Sequence, residues 1–404
     1  MKKIASIVLG VASFGFVATG AQFYAKNGLK IAQAVAEAVT MDEKPAKDVL
    51  DISAKSAYLM DNYSKTAIYA HKEEERLPIA SMCKIMTLLL SFDAIRAGNL
   101  SFEEEISVSE RAASMGGSQV FLEANAKYSV RELIKSVVIC SANDSCVALA
   151  ERIAGSEQVF VDRMNAKAKE IGANNTLFAN CTGLPKEPQY SCAKDVALML
   201  SKLLENEEYY EFGKVWMDKF EHPEGRYTEI TNTNKLIRFY DGCDGGKTGF
   251  TNEAGFCLAA TAKRDNTRII SVVIGEKDSK QRFNDVRTMF DYAFANYTTK
   301  KIVQADVPLE ERATVDGGKS KSIAVAPQRD AYFFLRRGEQ GDITSEISLK
   351  TVKAPCKKGD VVGLLRIYQA GVEIDSVPLV AYENVKEANF FDCLQEVAEE
   401  WNKR

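Results

Sequence analysis

Residues 77–87 have the sequence Leu-Pro-Ile-Ala-Ser-Met-Cys-Lys-Ile-Met-Thr, which places Ser81 and Lys84 three positions apart. Apolar residues continue through 85–95 and predict a mostly buried helix with Ser81 at its start. On a helix this spacing brings the two side chains to the same face. Free N–H groups at the helix N-terminus would stabilise a developing oxyanion. The positive end of the helix also disfavours an ammonium ion, which helps Lys84 to act as a neutral base.

A Ser-x-x-Lys pair has little specificity alone, and the chain contains a second one at 191–194. Ser191 has the simpler interpretation of a helix N-cap. The next polar element is Ser141-Ala142-Asn143, 60 residues beyond Ser81 and between two helical patterns. Serine and asparagine between helices are usually turn residues, so this element indicates a function only in combination with other motifs.

The third element is Lys247-Thr248-Gly249, which leads toward a pair of predicted strands. Glycine there would keep side-chain bulk away from a ligand lying against the strand. Taken alone, the element is a strand start with an exposed lysine. The ordered set Ser-x-x-Lys, Ser-x-Asn and Lys-Thr-Gly is, however, known from penicillin-binding proteins and class A β-lactamases. All three in one chain, in that order, indicate this type of serine enzyme.

Histidine is scarce in this chain. His71 and His222 are the only two, and both lie in charged or turn-like stretches where we expect exposed side chains without a catalytic role. A hydrolase of this composition would lack a histidine base and a histidine-based zinc site. The scarcity agrees with lysine as the base. The net charge of −4 gives no indication of a nucleic-acid partner.

Beyond these motifs, the chain resembles the D-alanyl-D-alanine carboxypeptidase family of the penicillin-binding proteins over roughly residues 48–400. The stretches that carry the resemblance are 77–87, 141–151, 180–185, 190–191, 244–251 and, for that family's C-terminal β-domain, 358–363. The chain departs from the family pattern at Cys83, where threonine is usual, and at Phe250, often histidine or tyrosine. Neither side chain is expected to do the chemistry, so these departures concern the rate and the β-lactam affinity.

The resemblance implies an acyl-enzyme mechanism that needs no metal or cofactor. Ser81 would attack the carbonyl between two D-alanines, Lys84 would take its proton, and water would release the shortened peptide. The resemblance gives the other residues these roles: Ser141 and Lys247 pass a proton to the leaving D-alanine, Asn143 holds a substrate amide, Thr248 and Lys247 bind the terminal carboxylate, Gly249 leaves room for the ligand, and the N–H groups of Ser81 and Phe250 form the oxyanion hole. The expected partners are peptidoglycan stem peptides and β-lactam antibiotics.

The patterns predict an α/β fold in four parts. Residues 1–25 are expected to be a signal peptide. Strands at both ends of 48–299 with helices between them predict an α/β sheet with a helical insert, and the resemblance implies a transpeptidase-like domain with an antiparallel sheet. Short β-like runs in 300–384, separated by glycines, predict a small all-β domain. Residues 385–404 predict an amphipathic helix.

The two ends of the chain suggest export and membrane contact. Met1-Lys2-Lys3 and the apolar residues 4–18 are typical of a secretory signal, which we expect to be cleaved; a retained anchor helix is the alternative. The last helix has an apolar face formed by Phe390, Leu394, Val397, Ala398 and Trp401. We expect peripheral contact with the outer face of the cytoplasmic membrane. The residues 385–404 carry more acidic than basic side chains, which disfavours anionic lipid, so docking on the β-domain is the alternative.

Nine cysteines are an odd number, so they cannot all pair within one chain. Many unpaired thiols in an exported protein suggest a reducing or anaerobic habitat.

Two other functions compete with the carboxypeptidase. A class A-like β-lactamase would pair the same motifs with a Glu-x-x-Leu-Asn loop, which does not occur between Asn143 and Lys247, and would have aspartate at the position of Ala142. The appended β-domain also favours the carboxypeptidase. A non-catalytic wall-binding protein on the same fold would have damaged motifs, whereas here every motif residue is present.

Overall fold

A computed structural model describes residues 50–339, 341–392, 394 and 401. The expected signal peptide, residues 1–25, lies outside the described residues, and so does half of the helix expected at 385–404. Within the described part of the chain, no helix is long and apolar enough to cross a membrane. The eight described cysteines are all free thiols.

The first domain alternates between strands and helices. In chain order its elements are β1 (Ser56–Asp61), β2 (Ala67–His71), a 3-10 turn (Ala80–Cys83), α1 (Lys84–Arg96), β3 (Glu105–Ser107), α2 (Glu110–Ala113), β4 (Lys127–Ser129), α3 (Val130–Cys140), α4 (Asn143–Ala154), α5 (Glu157–Glu170), α6 (Ala193–Leu203), α7 (Tyr209–Gly213), β5 (Met217–Glu221), a second 3-10 turn (Pro223–Gly225), β6 (Tyr227–Thr231), α8 (Leu236–Phe239), β7 (Cys243–Thr251), β8 (Gly255–Arg264), β9 (Thr267–Glu276) and α9 (Ser279–Asn296).

The main sheet has the strand order β2-β1-β9-β8-β7, and every neighbouring pair is antiparallel. Its first two strands come from the start of the domain and the other three from 243–276, so the helices between them form the predicted insert. Strand β9 is buried along its whole length, because it lies in the middle of the sheet with both faces covered. Strand β7 is an edge strand, which leaves one side of its backbone open to a ligand.

Helix α1 is the buried centre of the helical insert. Residues 82–89 are all buried, as expected for a helix that is apolar on every side. It packs against α3, α4 and α6, and its hydrophobic contacts continue into the largest core of the domain. This packing holds the 3-10 turn that contains Ser81 in a rigid setting.

The second domain is all-β, as predicted. Its strands are β10 (Tyr297–Val303), β11 (Arg312–Asp316), β12 (Ser322–Pro327), β13 (Ala331–Arg336), β14 (Ile343–Leu349), β15 (Val352–Lys353), β16 (Val361–Gln369) and β17 (Val372–Ala381). Six of them form a sheet in the order β14-β16-β17-β12-β11-β15, and β10 pairs with β13. Alternate residues of β11, β12 and β17 point into one apolar core, which is the period-two pattern of a half-buried sheet.

The start of the C-terminal helix differs from the prediction. Val385 pairs with Cys356, and Glu387 pairs with Gly318, in isolated β-bridges. The described helical residues begin at Phe390. The backbone hydrogen bonds of 385–387 therefore extend the β-domain by three residues beyond the predicted boundary at 384.

Two side chains also lie in surroundings that local sequence did not indicate. His222 is buried rather than exposed, because the β5–β6 hairpin places its ring against Tyr128 and Thr228, with Nδ1 3.2 Å from the tyrosine oxygen and Nε2 2.8 Å from the threonine oxygen. Burial lowers the pKa of His222. Ser191 is not the N-cap of α6, a position that Cys192 occupies. Its hydroxyl instead bonds to the Thr176 hydroxyl at 2.7 Å.

Candidate active site

Ser81 and Lys84 lie at the junction between the 3-10 turn and α1, and their side chains are in direct contact. The Lys84 Nζ donates to Ser81 Oγ at 2.9 Å. The turn is held from outside by the loop that contains Gly183, where a Cβ would lie only 2.0 Å from the Ala80 carbonyl oxygen. Because glycine alone fits there, this loop can close over the nucleophile's backbone.

Lys84 is fully buried. Its Nζ donates a second, short hydrogen bond to the Thr182 carbonyl oxygen. Burial lowers the pKa of Lys84, since a charged ammonium loses its water shell there. Among the residues that the structure describes, no carboxylate forms an ion pair with it. Burial therefore favours the neutral amine, the form that can accept a proton.

The Thr182 carbonyl is held by a side chain that sequence reasoning did not assign a role. The Asn180 Oδ1 accepts the backbone N–H groups of Thr182 at 3.1 Å and of Gly183 at 2.7 Å. The stretch 180–185 belongs to the family resemblance, but only its contact with Lys84, about a hundred positions earlier, shows what it does. It fixes the acceptor that orients the base.

Ser141 ends helix α3 in a left-handed conformation, with φ 66° and ψ 34°. Such a conformation costs a non-glycine residue about 1–3 kcal/mol and is concentrated at functional sites. The Ser141 side chain is buried, and its Oγ has no hydrogen-bond partner among the described atoms. The hydroxyl is thus free to bond a substrate or a proton donor.

Asn143 begins helix α4 and is tied to the loop that precedes β4. Its Nδ2 donates to the Gly116 carbonyl, and its backbone N–H donates to the Ser118 carbonyl, both at 2.7 Å. The Oδ1 atom is buried without a partner in the described structure. The amide is therefore held by its nitrogen and offers its oxygen to an incoming N–H group.

The neighbouring Asp144, which sequence reasoning did not single out, keeps the same loop in place. Its buried carboxylate accepts the N–H groups of Val120 and Leu122, each at 3.1 Å. These bonds hold Phe121 between them in a positive-φ conformation. Asp144 therefore acts as a structural anchor for one wall of the site.

Lys247, Thr248 and Gly249 lie on the edge strand β7. Lys247 is buried, and not exposed as a strand-start lysine would be; burial, together with the nearby Lys84 charge, lowers its pKa to about 7. Because two neighbouring ammonium groups repel each other, the state in which both lysines are protonated is disfavoured.

The Thr248 hydroxyl bonds to the Thr233 hydroxyl at 2.8 Å, and the Thr233 N–H donates to the carbonyl of Ile139 at 3.0 Å. This chain of contacts connects β7 to the end of α3.

Gly249 lies directly against the nucleophile's turn. A Cβ there would lie 2.6 Å from the Ile79 carbonyl oxygen and 3.2 Å from the Ser81 nitrogen. The absence of a side chain is what allows β7 to approach Ser81. Phe250 follows, half exposed, with its ring stacked on Phe256 at a centroid distance of 4.3 Å.

The structure therefore brings together the three sequence elements, which are separated by up to 166 positions. Ser81 and Lys84 are in contact, Gly249 lies against Ser81, and the contacts through Thr248 and Thr233 connect β7 to helix α3, which ends at Ser141. The second Ser-x-x-Lys pair is separate, because Lys194 forms an exposed ion pair with Glu74. A serine hydroxyl in contact with a buried lysine, a second hydroxyl without a partner and an open strand edge together fit the requirements of acyl transfer.

Comparisons with known proteins match both domains of the chain to described families. Residues 39–278 match the family described as D-alanyl-D-alanine carboxypeptidase, and residues 297–387 match the family described as penicillin-binding protein 5, C-terminal domain. The D-alanyl-D-alanine carboxypeptidase DacF of Bacillus subtilis is 40% identical over 352 residues, which cover 87% of this chain and 90% of the relative.

Solved structures show the same likeness. Penicillin-binding protein 5 from Haemophilus influenzae is 30% identical, with a TM-score of 0.65, and the alignment covers 83% of this chain and 98% of that one. Penicillin-binding protein D2 from Listeria monocytogenes, in its ampicillin-bound form, is 29% identical with a TM-score of 0.55 and covers 61% of this chain and 99% of its own.

Proposed function

The chain belongs to the D-alanyl-D-alanine carboxypeptidase family, and from this premise we propose that it removes the terminal D-alanine from peptidoglycan pentapeptide stems, with Ser81 as the nucleophile. It is a serine-type hydrolase of the penicillin-binding type. The observation that carries the assignment of the residues is the hydrogen bond of 2.9 Å between the Lys84 Nζ and the Ser81 Oγ. The buried lysine has no carboxylate partner in the described structure that would hold it protonated.

In the first half of the reaction, Ser81 Oγ forms a bond to the carbonyl carbon between the two D-alanines, and its proton moves to the Lys84 Nζ. The carbonyl oxygen becomes an oxyanion, which accepts hydrogen bonds from the N–H groups of Ser81 and Phe250. The C–N bond to the last D-alanine then breaks. The leaving amine receives the proton that Lys84 took from the serine, passed on by way of Ser141 and Lys247, so Lys84 is neutral again. The product is an ester between Ser81 and the shortened peptide.

In the second half, water attacks the ester carbonyl and gives a proton to Lys84. The ester C–O bond breaks, and the proton returns to Ser81 Oγ. The shortened peptide leaves with a new carboxylate.

Substrate recognition uses the remaining polar groups. The Asn143 Oδ1, which has no partner in the described structure, accepts an amide N–H of the stem peptide. Lys247 and Thr248, on the edge strand, bind the terminal carboxylate through a cation and a hydroxyl. The free carboxylate thereby distinguishes the end of a stem peptide from an internal peptide bond.

The same chemistry explains covalent binding of β-lactams. Ser81 would open the lactam ring by attack on its carbonyl, but the amine stays tethered to the acyl group and hinders release. The ampicillin-bound form of the Listeria monocytogenes relative supports this role for the shared site.

A class A-like β-lactamase would need a group that activates water for rapid deacylation. Among the described residues, no acidic side chain contacts Ser81 or Lys84, and the Asp144 carboxylate already binds the Val120 and Leu122 N–H groups. A non-catalytic binding protein would have no need of a buried lysine in hydrogen-bond contact with a serine hydroxyl. Both alternatives are therefore less well supported than the carboxypeptidase.

The decisive experiment combines mass spectrometry with product analysis. After incubation with benzylpenicillin, the intact protein should gain the mass of one penicilloyl group, and a peptide ending in D-Ala-D-Ala should release one equivalent of D-alanine. Fast turnover of a chromogenic cephalosporin would instead indicate a β-lactamase. Absence of both labelling and D-alanine release would support the non-catalytic protein.

For the location, the support comes from the two ends of the chain. The signal-like residues 1–25 favour export, and the large apolar side chains near the C-terminus are strongly exposed, with Phe390 at 72%, Phe391 at 77% and Trp401 at 80%. Aromatic side chains of this kind are suited to the interfacial region of a bilayer. The proposal is therefore a peripheral protein on the outer face of the cytoplasmic membrane.

A further inference from the structure

Helix α9 carries a buried guanidinium that none of the motifs includes. Arg282 is 8% exposed, and within the described part of the chain it has no acidic partner. The rings of Phe256 and Phe283 cover it, with centroids 5.5 and 4.8 Å from its central carbon. Burial lowers its pKa to about 10, so it still carries its charge at neutral pH.

An uncompensated buried charge is costly to a fold, so its hydrogen bonds are informative. The Arg282 Nη1 donates to the Gly249 carbonyl oxygen at 3.1 Å and to the Cys257 carbonyl oxygen at 3.4 Å. These two residues are paired across β7 and β8. The guanidinium therefore lies where the two strands meet, and the Gly249 carbonyl points toward it.

The same peptide bond connects Gly249 to Phe250. In a trans peptide the C=O and N–H groups point in opposite directions. With the carbonyl directed at Arg282 on the β8 side, the Phe250 N–H points to the open edge of β7. Gly249 itself is in contact with the backbone of Ser81, so this N–H lies beside the nucleophile.

We infer that Arg282 is a positioning residue for the reaction, one that fixes and polarises the Gly249–Phe250 peptide bond and so strengthens the Phe250 N–H as an oxyanion donor. The inference rests on the proposed function, in which this N–H binds the oxyanion. A cation at the carbonyl end of a peptide draws electron density from its nitrogen, and hydrogen bonds in series strengthen one another. Donors held in place before the reaction contribute most to such sites.

Direct contact between Arg282 and the substrate carboxylate is the rival explanation. The rings of Phe256 and Phe283 and the carbonyls of Gly249 and Cys257 already surround the guanidinium, and its Nη2 donates to the Ser279 hydroxyl at 3.4 Å. Only its Nε is without a partner among the described atoms. Few of its donors are left for a ligand.

The test compares Arg282→Gln and Arg282→Lys with the wild-type protein, and uses Arg287→Gln, an exposed cation of the same helix, as the matched control. Two quantities are measured with benzylpenicillin: the limiting acylation rate constant and the dissociation constant before acylation. The infrared frequency of the ester carbonyl in the acyl-enzyme gives a third, because it rises when the oxyanion donors weaken. For Arg282→Gln we expect acylation about 10- to 100-fold slower, somewhat less than the loss of a whole donor, a higher ester frequency and an almost unchanged dissociation constant.

Arg282→Lys keeps the test decisive if the glutamine variant does not fold. A buried lysine loses its proton at a lower pH than an exposed one, so one folded protein can be examined with and without the charge. The ester frequency should be close to that of the wild type at low pH and should rise as the new lysine deprotonates, while the wild-type frequency stays constant.

Three results would overturn the inference. The first is a folded glutamine variant with wild-type acylation and ester frequency, the second is a loss confined to the dissociation constant, and the third is a lysine variant whose ester frequency does not respond to pH. If the wild-type protein itself is not acylated, the proposed function fails instead, and the two failures are thus distinguishable.

Discussion

The Lys84 Nζ lies 2.9 Å from the Ser81 Oγ, and the same nitrogen donates to the Thr182 carbonyl oxygen. The second contact directs the lysine at the serine, while burial lowers its pKa. A neutral amine in this position can take the hydroxyl proton as the serine attacks.

Ser81→Ala should abolish both D-alanine release and covalent labelling by benzylpenicillin, because it removes the nucleophile. Intact-mass measurement checks the labelling. Ser191→Ala is the matched control, since Ser191 begins the second Ser-x-x-Lys pair but hydrogen-bonds to Thr176; it should be labelled normally. Labelling of the Ser81→Ala protein would show that another serine is the nucleophile.

Lys84→Ala should lose acylation by more than the roughly 10²- to 10⁴-fold typical of a single acid–base group. In the proposed mechanism the Lys84 side chain is the base, and its charge also lowers the pKa of Lys247. The substitution therefore removes two functions together. Lys84→Arg should be similarly inactive, because arginine keeps its proton.

The control for the lysine variants is Lys194→Ala, which removes an exposed lysine paired with Glu74 and should acylate normally. Rapid-mixing acylation kinetics, with circular dichroism to confirm folding, make the comparison. Near-normal acylation in Lys84→Ala would mean that another group is the base.

Lys247→Gln should weaken the binding of substrates that end in a free carboxylate, since it removes the cation that faces this group. The measurement is kcat/KM for a pair of peptides, one with a free C-terminus and one amidated. The wild-type protein should strongly prefer the free acid, and the variant should lose most of that preference. Equal processing of both peptides by the wild-type protein would contradict the carboxylate role.

The pH dependence of kcat/KM follows from the two lowered lysine pKa values. Below its pKa, Lys84 is protonated and cannot accept the serine proton, so the rate should rise as the pH rises. Lys247, with a pKa of about 7, loses its charge above that pH, so binding of the carboxylate should weaken and kcat/KM should fall. The profile for a peptide substrate is therefore expected to be bell-shaped.

Lys247→Arg tests the falling limb, because a guanidinium keeps its charge across this range. The limb should move to higher pH in the variant. If the falling limb stays near pH 7 in the variant, another group causes it.

The stability of the fold should show the opposite trend to carboxylate binding. The unfolded state holds the Lys247 proton up to the ordinary lysine pKa, so the free energy of unfolding should rise from about pH 7 upward. Lys247→Met should remove part of that rise.

Truncation after Ala388 should release the protein from vesicles of anionic lipid and leave its activity on soluble peptides unchanged. This cut keeps the bridges formed by Val385 and Glu387 and removes the exposed Phe390, Phe391 and Trp401. Replacing these three aromatic residues by serine in the full-length chain is the matched control, and it should also lower vesicle binding. A full-length protein that does not sediment with vesicles at low salt would contradict the membrane proposal.

The sequence alone was enough to predict the family and the fold class, and to propose a set of site residues. The three-residue spacing of Ser81 and Lys84 predicts that the two side chains share one helix face, and the apolar run after them predicts a buried helix. The order of the three motifs indicates the family. The alternating residues after Lys300 likewise predict strands. The helix and strand predictions depend on local periodicity, whereas the family and the residue roles depend on motif resemblance; the chain displays both without folding.

Only the tertiary structure decided how the site residues behave. His222 is buried because a hairpin folds it against Tyr128, and Ser191 bonds to Thr176 rather than capping α6. Residues distant in the chain also lower the pKa values of Lys84 and Lys247 by burying them. The same holds for two contacts, that of Lys84 with the Thr182 carbonyl and that of Arg282 with Gly249. Burial, electrostatic surroundings and hydrogen-bond partners are set by such long-range packing, so they become visible only when the chain has folded.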